Sequence, residues 1–282
     1  MQKGSLSLRS RFLALSIRKF IDHSVKVIAA VPDGEPDLDS GTLGIFAHCR
    51  VDIMKFSPTF WNSFGYAIGN KLDAACLSFK TRYALFLDTD TIFLKNVNLS
   101  TLNQINSDVL AANMMGAQVF IGEKAAEYEC FAEKMGVNIN KIPVRKQNND
   151  GVRLVKFPMF NSGVVLFNVD KGFGPAWRDL TLRVLTSDLS DEIKYPYSDQ
   201  ASLSIALAME RFSYSTLPPR WNLPPSSKKE AELLHYFRFP AALKRDESRW
   251  IIARLHKEAE RLGFNALGEL TLKDLAYFRA DQ

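Results

Sequence analysis

Apolar positions along the chain follow two rhythms that alternate. Leu13, Ile17 and Phe20 recur at helical spacing and predict a helix over 6–20, followed by a strand over 25–31 in "VKVIAAVP" and a short strand over 51–56. The same reading gives a helix over 70–79, a strand over 83–87 with "TIFL" extended beyond it, and a strand in "SDVLAANM". A helix near 123–135, a strand in "FNSGVVLFNV", a helix near 174–187 and a helix in "SDQASLSIALAMERF" complete the series. Strands alternating with helices predict an α/β fold with a mostly parallel sheet covered on both faces. Pro218, Pro219, Pro224 and Pro225 bracket "RWNL" and break regular structure there. From about 246 the pattern is helical again, with Ile251, Leu255, Ala259 and Leu262 on one face and Gly263 as a C-terminal stop. Thr271 and Asp274 have capping-box spacing for a last short helix.

The run "YALFLDTDTIFL" interrupts this pattern with Asp88 and Asp90. Unpaired ionised carboxylates in an apolar surround cost several kcal/mol or protonate. Side chains along a strand alternate faces with period two, so Asp88 and Asp90 are expected to point the same way and converge on one spot, with Thr89 opposite. At the C-terminal end of a parallel strand that spot suits a divalent cation carrying phosphates. Asp37 and Asp39 in "EPDLDSG" have the same spacing but sit among Pro and Gly, and are expected to be solvated turn residues.

Composition narrows the classes. With 282 residues, 46% hydrophobic and 24% charged, the chain has enough apolar material for one large α/β domain or two small ones, and disordered and fibrous classes drop out. The net charge of +5 and the nine Lys/Arg against six Asp/Glu in 228–261 lack the dense basic stripe of a nucleic-acid binder. That mild basicity, with Trp250 on a helix, is compatible with peripheral contact with a membrane surface or with ordinary packing. Cys49, Cys76 and Cys130 form neither a disulfide framework nor a thiolate metal site, which fits a reducing, cytoplasmic setting. No apolar run approaches the roughly 18 residues of a membrane span. The first 21 residues hold five Lys/Arg and no acid, faintly like a transit peptide, but their stripe leads straight into the first strand and reads as a domain helix.

"FLDTDTIFL", "FNSGVVLFN", "SDQASL" and "LLHYF" occur in the order and approximate spacing of retaining nucleotide-sugar glycosyltransferases of the GT-A fold. Over residues 8–240 the chain resembles glycosyltransferase family 8, the glycogenin-like group. The resemblance implies a Rossmann-like GT-A domain over 1–240 with a helical C-terminal extension over 241–282. It implies Mn²⁺ or Mg²⁺ held by Asp88, Asp90 and His235, with imidazole among oxygen ligands favouring Mn²⁺. Lys71, Thr89, Asn161, Ser162 and Gly163 would bind the donor, and Asp199 with Gln200 would lie beside the sugar being moved. The partners implied are a nucleotide-diphosphate sugar, a UDP-sugar by preference, and a glycan, lipid or protein hydroxyl acceptor.

Each of these residues has a bland alternative: a solvated charge for Lys71, a strand bulge for Gly163, helix capping for Ser198 or Asp199, and a packed histidine for His235. Two departures from the family stand out. Members open with a strand and loop that grip the nucleobase, whereas this chain starts at "MQKGSLSLRSRFLALSIRKF", so that element is expected to be missing or differently built. "HYFRFP" lacks the family's His-x-x-Gly and Lys-Pro, leaving Arg238 as the nearest substitute for a lysine that contacts diphosphate. Two rival functions fit fewer residues. A haloacid-dehalogenase-like phosphatase would use Asp88 as nucleophile, but it wants Thr or Val where Ile92 stands and a later acidic strand end that is not found. A non-catalytic nucleotide-sugar or glycan-binding protein would keep the fold alone.

Overall fold

A computed structural model describes residues 5–34, 38–104, 106–111, 114–121, 123–137, 145–149, 152–195, 197–209 and 211–266. Asp37 and the Thr271–Asp274 capping pair lie outside the described residues. The chain divides into two compact units, one built from Met1–Ser57, Leu87–Ile105 and Pro218–Gln282, the other from Pro58–Phe86 and Asn106–Leu217.

The first unit is organised by helix α1 (Ser5–Phe20). Leu8, Phe12 and Leu15, spaced at four and three residues, are buried in one core with Ile251, Ile252, Leu255 and Ala259 of helix α10 (Asp246–Arg261). Leu262, expected on the same face, is instead exposed, because it is the residue at which α10 ends. Gly263 takes φ +80, and its N–H and that of Phe264 bond the carbonyls of Glu260 and Ala259, which closes the helix as the sequence predicts.

Strand β1 (Val27–Pro32) pairs in parallel with β2 (Val51–Phe56). Between them lies a helix the sequence reading lacks, α2 (Ser40–His48), whose two glycines weaken the helical signal. Asp39 is exposed, as expected of a solvated residue, but it is the N-cap of α2 rather than a turn residue: the carboxylate accepts from the Thr42 N–H at 2.9 Å and from the Arg11 guanidinium at 2.7 Å. Burial alone would raise the Asp39 pKa, but the bonds from Thr42 and Arg11 outweigh it and hold the carboxyl below its ordinary value.

The second unit contains a sheet in the order β10 (Tyr214–Thr216), β5 (Val109–Ala111), β9 (Val164–Asn168), β3 (Tyr83–Leu87). β10 runs parallel to β5, and β1 to β2, as the alternation pattern predicts, while β5 with β9 adds an antiparallel pairing. Helices α6 (Phe173–Thr186) and α8 (Ser198–Ala208) share a core with Val109, Val165 and Phe167. Burying a side chain such as Phe173 there stabilises the unit by about 1.5–3 kcal/mol. Gly174 brings α6 against the short helix α4 (Asn70–Ala74), since a Cβ there would sit 2.1 Å from the Ala75 carbonyl oxygen. A separate antiparallel sheet of β6 (Met114–Ile121), β8 (Val152–Phe160) and β7 (Arg145–Asn149) was not predicted from the sequence. No described helix is long and apolar enough to cross a membrane.

Candidate active site

In the first unit, β4 (Thr91–Phe93) pairs antiparallel with β11 (Leu233–His235) in the register His235↔Thr91. The Tyr236 N–H adds a bond to the Asp90 carbonyl at 2.9 Å, so the imidazole is set beside the aspartates by backbone pairing. Asp88 and Asp90 do converge, but not through the pleat of a continuous strand. β3 ends at Leu87, and residues 88–91 form a turn in which the Asp88 carbonyl accepts from the Thr91 N–H at 3.1 Å and the Thr91 hydroxyl at 2.8 Å. Thr89 is the second residue of that turn.

One ligand atom from each of Asp88, Asp90 and His235 lies within 4.8 Å of the others. His235 is buried, stacks at 4.2 Å between ring centres on Phe237, and meets the Asn222 side-chain oxygen with Nδ1 at 2.8 Å. Donation from Nδ1–H to Asn222 leaves Nε2 facing the Asp90 carboxylate at 3.2 Å. Two lone pairs at that distance repel unless a cation or a proton lies between them. Two carboxylates and a neutral imidazole nitrogen are the donor set of a hard or borderline divalent ion, so these residues fit one. Two further groups stand beside Asp90: the Arg9 guanidinium at 3.6 Å, which belongs to no sequence motif, and the phenol of Tyr236, which follows His235 in "LLHYF". Burial foremost, then Asp90, pushes the phenol pKa well up, with Arg9 opposing.

In the second unit the structure brings Lys71, Ser162 and Asp199 together and adds Tyr66. Asp199 is 1% exposed. Its carboxylate accepts from the Tyr66 hydroxyl at 2.7 Å and from the Ser162 hydroxyl, and Lys71 Nζ stands 3.3 Å away. Lys71 also donates to Ser162 at 3.1 Å and lies 5.9 Å from the centre of the Phe86 ring. It is therefore an enclosed ion pair rather than a solvated charge. Nor is Asp199 a helix cap: the N-cap of α8 is Tyr197, which makes no side-chain cap bond. The Trp177 indole N–H bonds the Asp199 carbonyl at 2.9 Å and fixes the start of the helix. Asn161 is buried, and its side-chain oxygen accepts from the Gly163 N–H at 2.9 Å, so these three residues form a side-chain-closed turn before β9. Gln200, next on α8, is partly exposed. Burial foremost, then Asp199, pushes the Tyr66 pKa well up.

Residues 1–212 of the 282 match the family model described as the Rhodobacterales glycosyltransferase domain. No curated protein matches the chain in sequence. Among solved structures it is similar to the galactosyltransferase LgtC in complex with donor and acceptor sugar analogs, at 14% identity over 96% of each chain with a TM-score of 0.54. An active-site glutamine-to-glutamate mutant of LgtC aligns over 96% of each chain at 14% identity, TM-score 0.53. The bifunctional glycosyltransferase WbbM, in its apo structure, aligns at 15% identity over 91% of this chain and 49% of its own, TM-score 0.53. At these identities the likeness concerns the fold, which is that of the GT-A glycosyltransferases. By its family match and its fold, the chain is a glycosyltransferase and belongs to the Rhodobacterales glycosyltransferase domain family.

Proposed function

We propose that the enzyme transfers a sugar from a nucleotide-diphosphate donor, a UDP-sugar first among the candidates, to a hydroxyl acceptor with retention of configuration, using Mn²⁺ or Mg²⁺. The observation that carries this reading is the convergence of Asp88, Asp90 and His235 within 4.8 Å. These three would hold the cation, whose chemistry is to offset the diphosphate charge and stabilise the leaving phosphate. Thr89 would present its turn backbone to the same donor.

The second cluster supports retention. A general base for inversion needs a carboxylate oxygen within reach of the acceptor O–H. Asp199 is 1% exposed and already accepts from Tyr66 and Ser162 beside Lys71. Its role on this reading is to hold Lys71 and Ser162 in place toward the donor, with Asn161 and Gly163 shaping the adjoining turn. Gln200, partly exposed beside it, would orient the sugar; LgtC has an active-site glutamine whose mutant has been crystallised. The acceptor oxygen then attacks the anomeric carbon from the face the nucleotide leaves, and its proton passes to the departing phosphate oxygen.

Thermal unfolding with Mn²⁺ and a panel of UDP, GDP, ADP, CDP and simple phosphomonoesters tests the donor class. A metal-dependent upward shift with one nucleoside diphosphate is the expected result. Absence of any shift across the panel overturns the donor reading. The anomeric configuration of the product, read by NMR with the donor so identified, then decides retention.

A further inference from the structure

Arg9 reaches Asp90 without a close ion pair. It lies on α1 next to Leu8, which is buried in the unit's core, and α1 is tied to β4 by the Phe93 N–H donating to the Ser16 hydroxyl at 3.2 Å. The Arg9 guanidinium itself reaches the Asp90 carboxylate. Yet its approach to Asp90 is loose, 3.6 Å from Nη1 to the carboxylate, with side chains only 18% and 16% exposed. A guanidinium carries five donors in a rigid fork and is charged at all accessible pH. Here Nε is buried and has no hydrogen-bond partner among the described residues, and neither has the Tyr236 hydroxyl, on a side chain that is fully buried. Buried donors without acceptors are costly and uncommon, more so when charged. Donors left over beside a cation-holding carboxylate pair fit a ligand rich in oxygens and negative charge.

We propose that Arg9 is a donor-positioning residue: paired with Asp90 while the site is empty of cation, it turns its guanidinium to the diphosphate when a divalent ion takes over that carboxylate. This rests on the reading of Asp88, Asp90 and His235 as the cation site. It also answers the missing Lys-Pro. Arg238, the nearest substitute in sequence, is exposed at the N-cap of the short helix α9 (Phe239–Leu243), whereas Arg9 is enclosed beside the carboxylates. One guanidinium serving Asp90 and the anion in turn makes their occupancies interdependent. The cation frees Arg9, the freed Arg9 strengthens the anion, and by reciprocity the anion strengthens the cation.

The test is isothermal titration of the whole protein with Mn²⁺ alone, with inorganic pyrophosphate alone, and with pyrophosphate at saturating Mn²⁺, in wild type, Arg9→Gln and Arg9→Lys. Wild type is expected to bind pyrophosphate at least tenfold more tightly with Mn²⁺ than without. Arg9→Gln should lose roughly 10- to 100-fold of that affinity, the loss of a charge-assisted bond. Its affinity for Mn²⁺ alone should be unchanged or higher, because a competing cation has been removed. Arg9→Lys keeps the charge without the fork and should fall between; if Arg9→Gln does not fold, this variant carries the test with the same two readouts. Unchanged pyrophosphate affinity in the variants overturns the proposal. So does a parallel loss of Mn²⁺ affinity, which would make Arg9 a mere support for Asp90. A wild type that binds Mn²⁺ but not pyrophosphate overturns the role of Arg9 alone; one that binds neither overturns the cation site beneath it.

Discussion

If Asp88, Asp90 and His235 hold a divalent ion as proposed, replacing Asn222 with glycine should weaken that binding about tenfold to a hundredfold while leaving the chain folded. The side-chain oxygen of Asn222 meets His235 Nδ1 at 2.8 Å, and both residues are buried. Without it a buried N–H is left unpaired, at a cost of about 1–3 kcal/mol, and nothing selects the tautomer that offers Nε2 to the carboxylates. At about 1.4 kcal/mol per decade this amounts to one to two decades in affinity, the usual range for partners that orient a metal-binding histidine. Glycine is the informative replacement because Asn222 sits at φ +56, where alanine would add left-handed strain and glycine adds none. The backbone frame should persist, since the His235 N–H still bonds the Leu223 carbonyl at 2.9 Å and β11 still pairs with β4. Titration with Mn²⁺ beside a denaturant melt reads both quantities. Asn222→Asp, which retains an acceptor, should keep wild-type affinity or exceed it. Equal Mn²⁺ affinity in Asn222→Gly and wild type, at an unchanged denaturation midpoint, would refute the orienting role.

Other outcomes follow from the same contacts. Tyr66→Phe removes one donor to the buried Asp199 carboxylate and should destabilise by about 1–3 kcal/mol in denaturant melts near pH 7. The folded Tyr66 pKa is raised above its unfolded value near 10, so its contribution is complete below that value and is lost as pH rises. Wild type should therefore lose stability above about pH 10 more steeply than Tyr66→Phe, and parallel pH profiles would contradict this. Burial pushes the Cys49 thiol up to about 12 and the Cys76 thiol up to about 11, whereas Cys130 is exposed. Alkylation of the native protein at mild pH, read by mass spectrometry, should mark Cys130 first and leave Cys49 until the chain unfolds. Gly174→Ala should cost about 1–3 kcal/mol in a denaturant melt, because the added methyl meets the Ala75 carbonyl.

What the sequence could show was set by how local each signal is. Strands 51–56 and 83–87 and the helix closed by Gly263 are written in contiguous residues, and they stand where the periodicity places them. The grouping of Asp88, Asp90 and His235 was legible through motif order, but the device that converges the aspartates was not: a Thr91-closed turn replaces the strand pleat. Asp39 shows the opposite failure, since its capping role depends on a helix whose glycines hide it and on Arg11, which is far off in sequence. Tyr66, Asn222 and Arg9 belong to no motif. Each matters because of a partner that is 133, 13 or 81 residues away, and hydrophobic periodicity carries no information about such pairings. The antiparallel pairing of β5 with β9 inside a sheet that also pairs in parallel is likewise a property of strand order, which alternation alone leaves open.

The pairing of β4 with β11 joins residues 144 positions apart (235 − 91) and has a consequence for biosynthesis. The unit that holds the carboxylate–imidazole cluster is assembled from three stretches of chain, whereas the last stretch of the other unit ends at Leu217. On the ribosome the second unit is thus fully synthesised before the final stretch of the first has emerged. Closing a flexible loop of this length costs about 4 kcal/mol in chain entropy beyond a fixed constant, so a compact intervening unit should speed the pairing. Any chain released before residue 235 carries the two aspartates without their imidazole. Under the proposed function, competence to hold a cation is in that sense a late event of translation, and pulse-labelled nascent chains should acquire it only after β11 has cleared the exit tunnel.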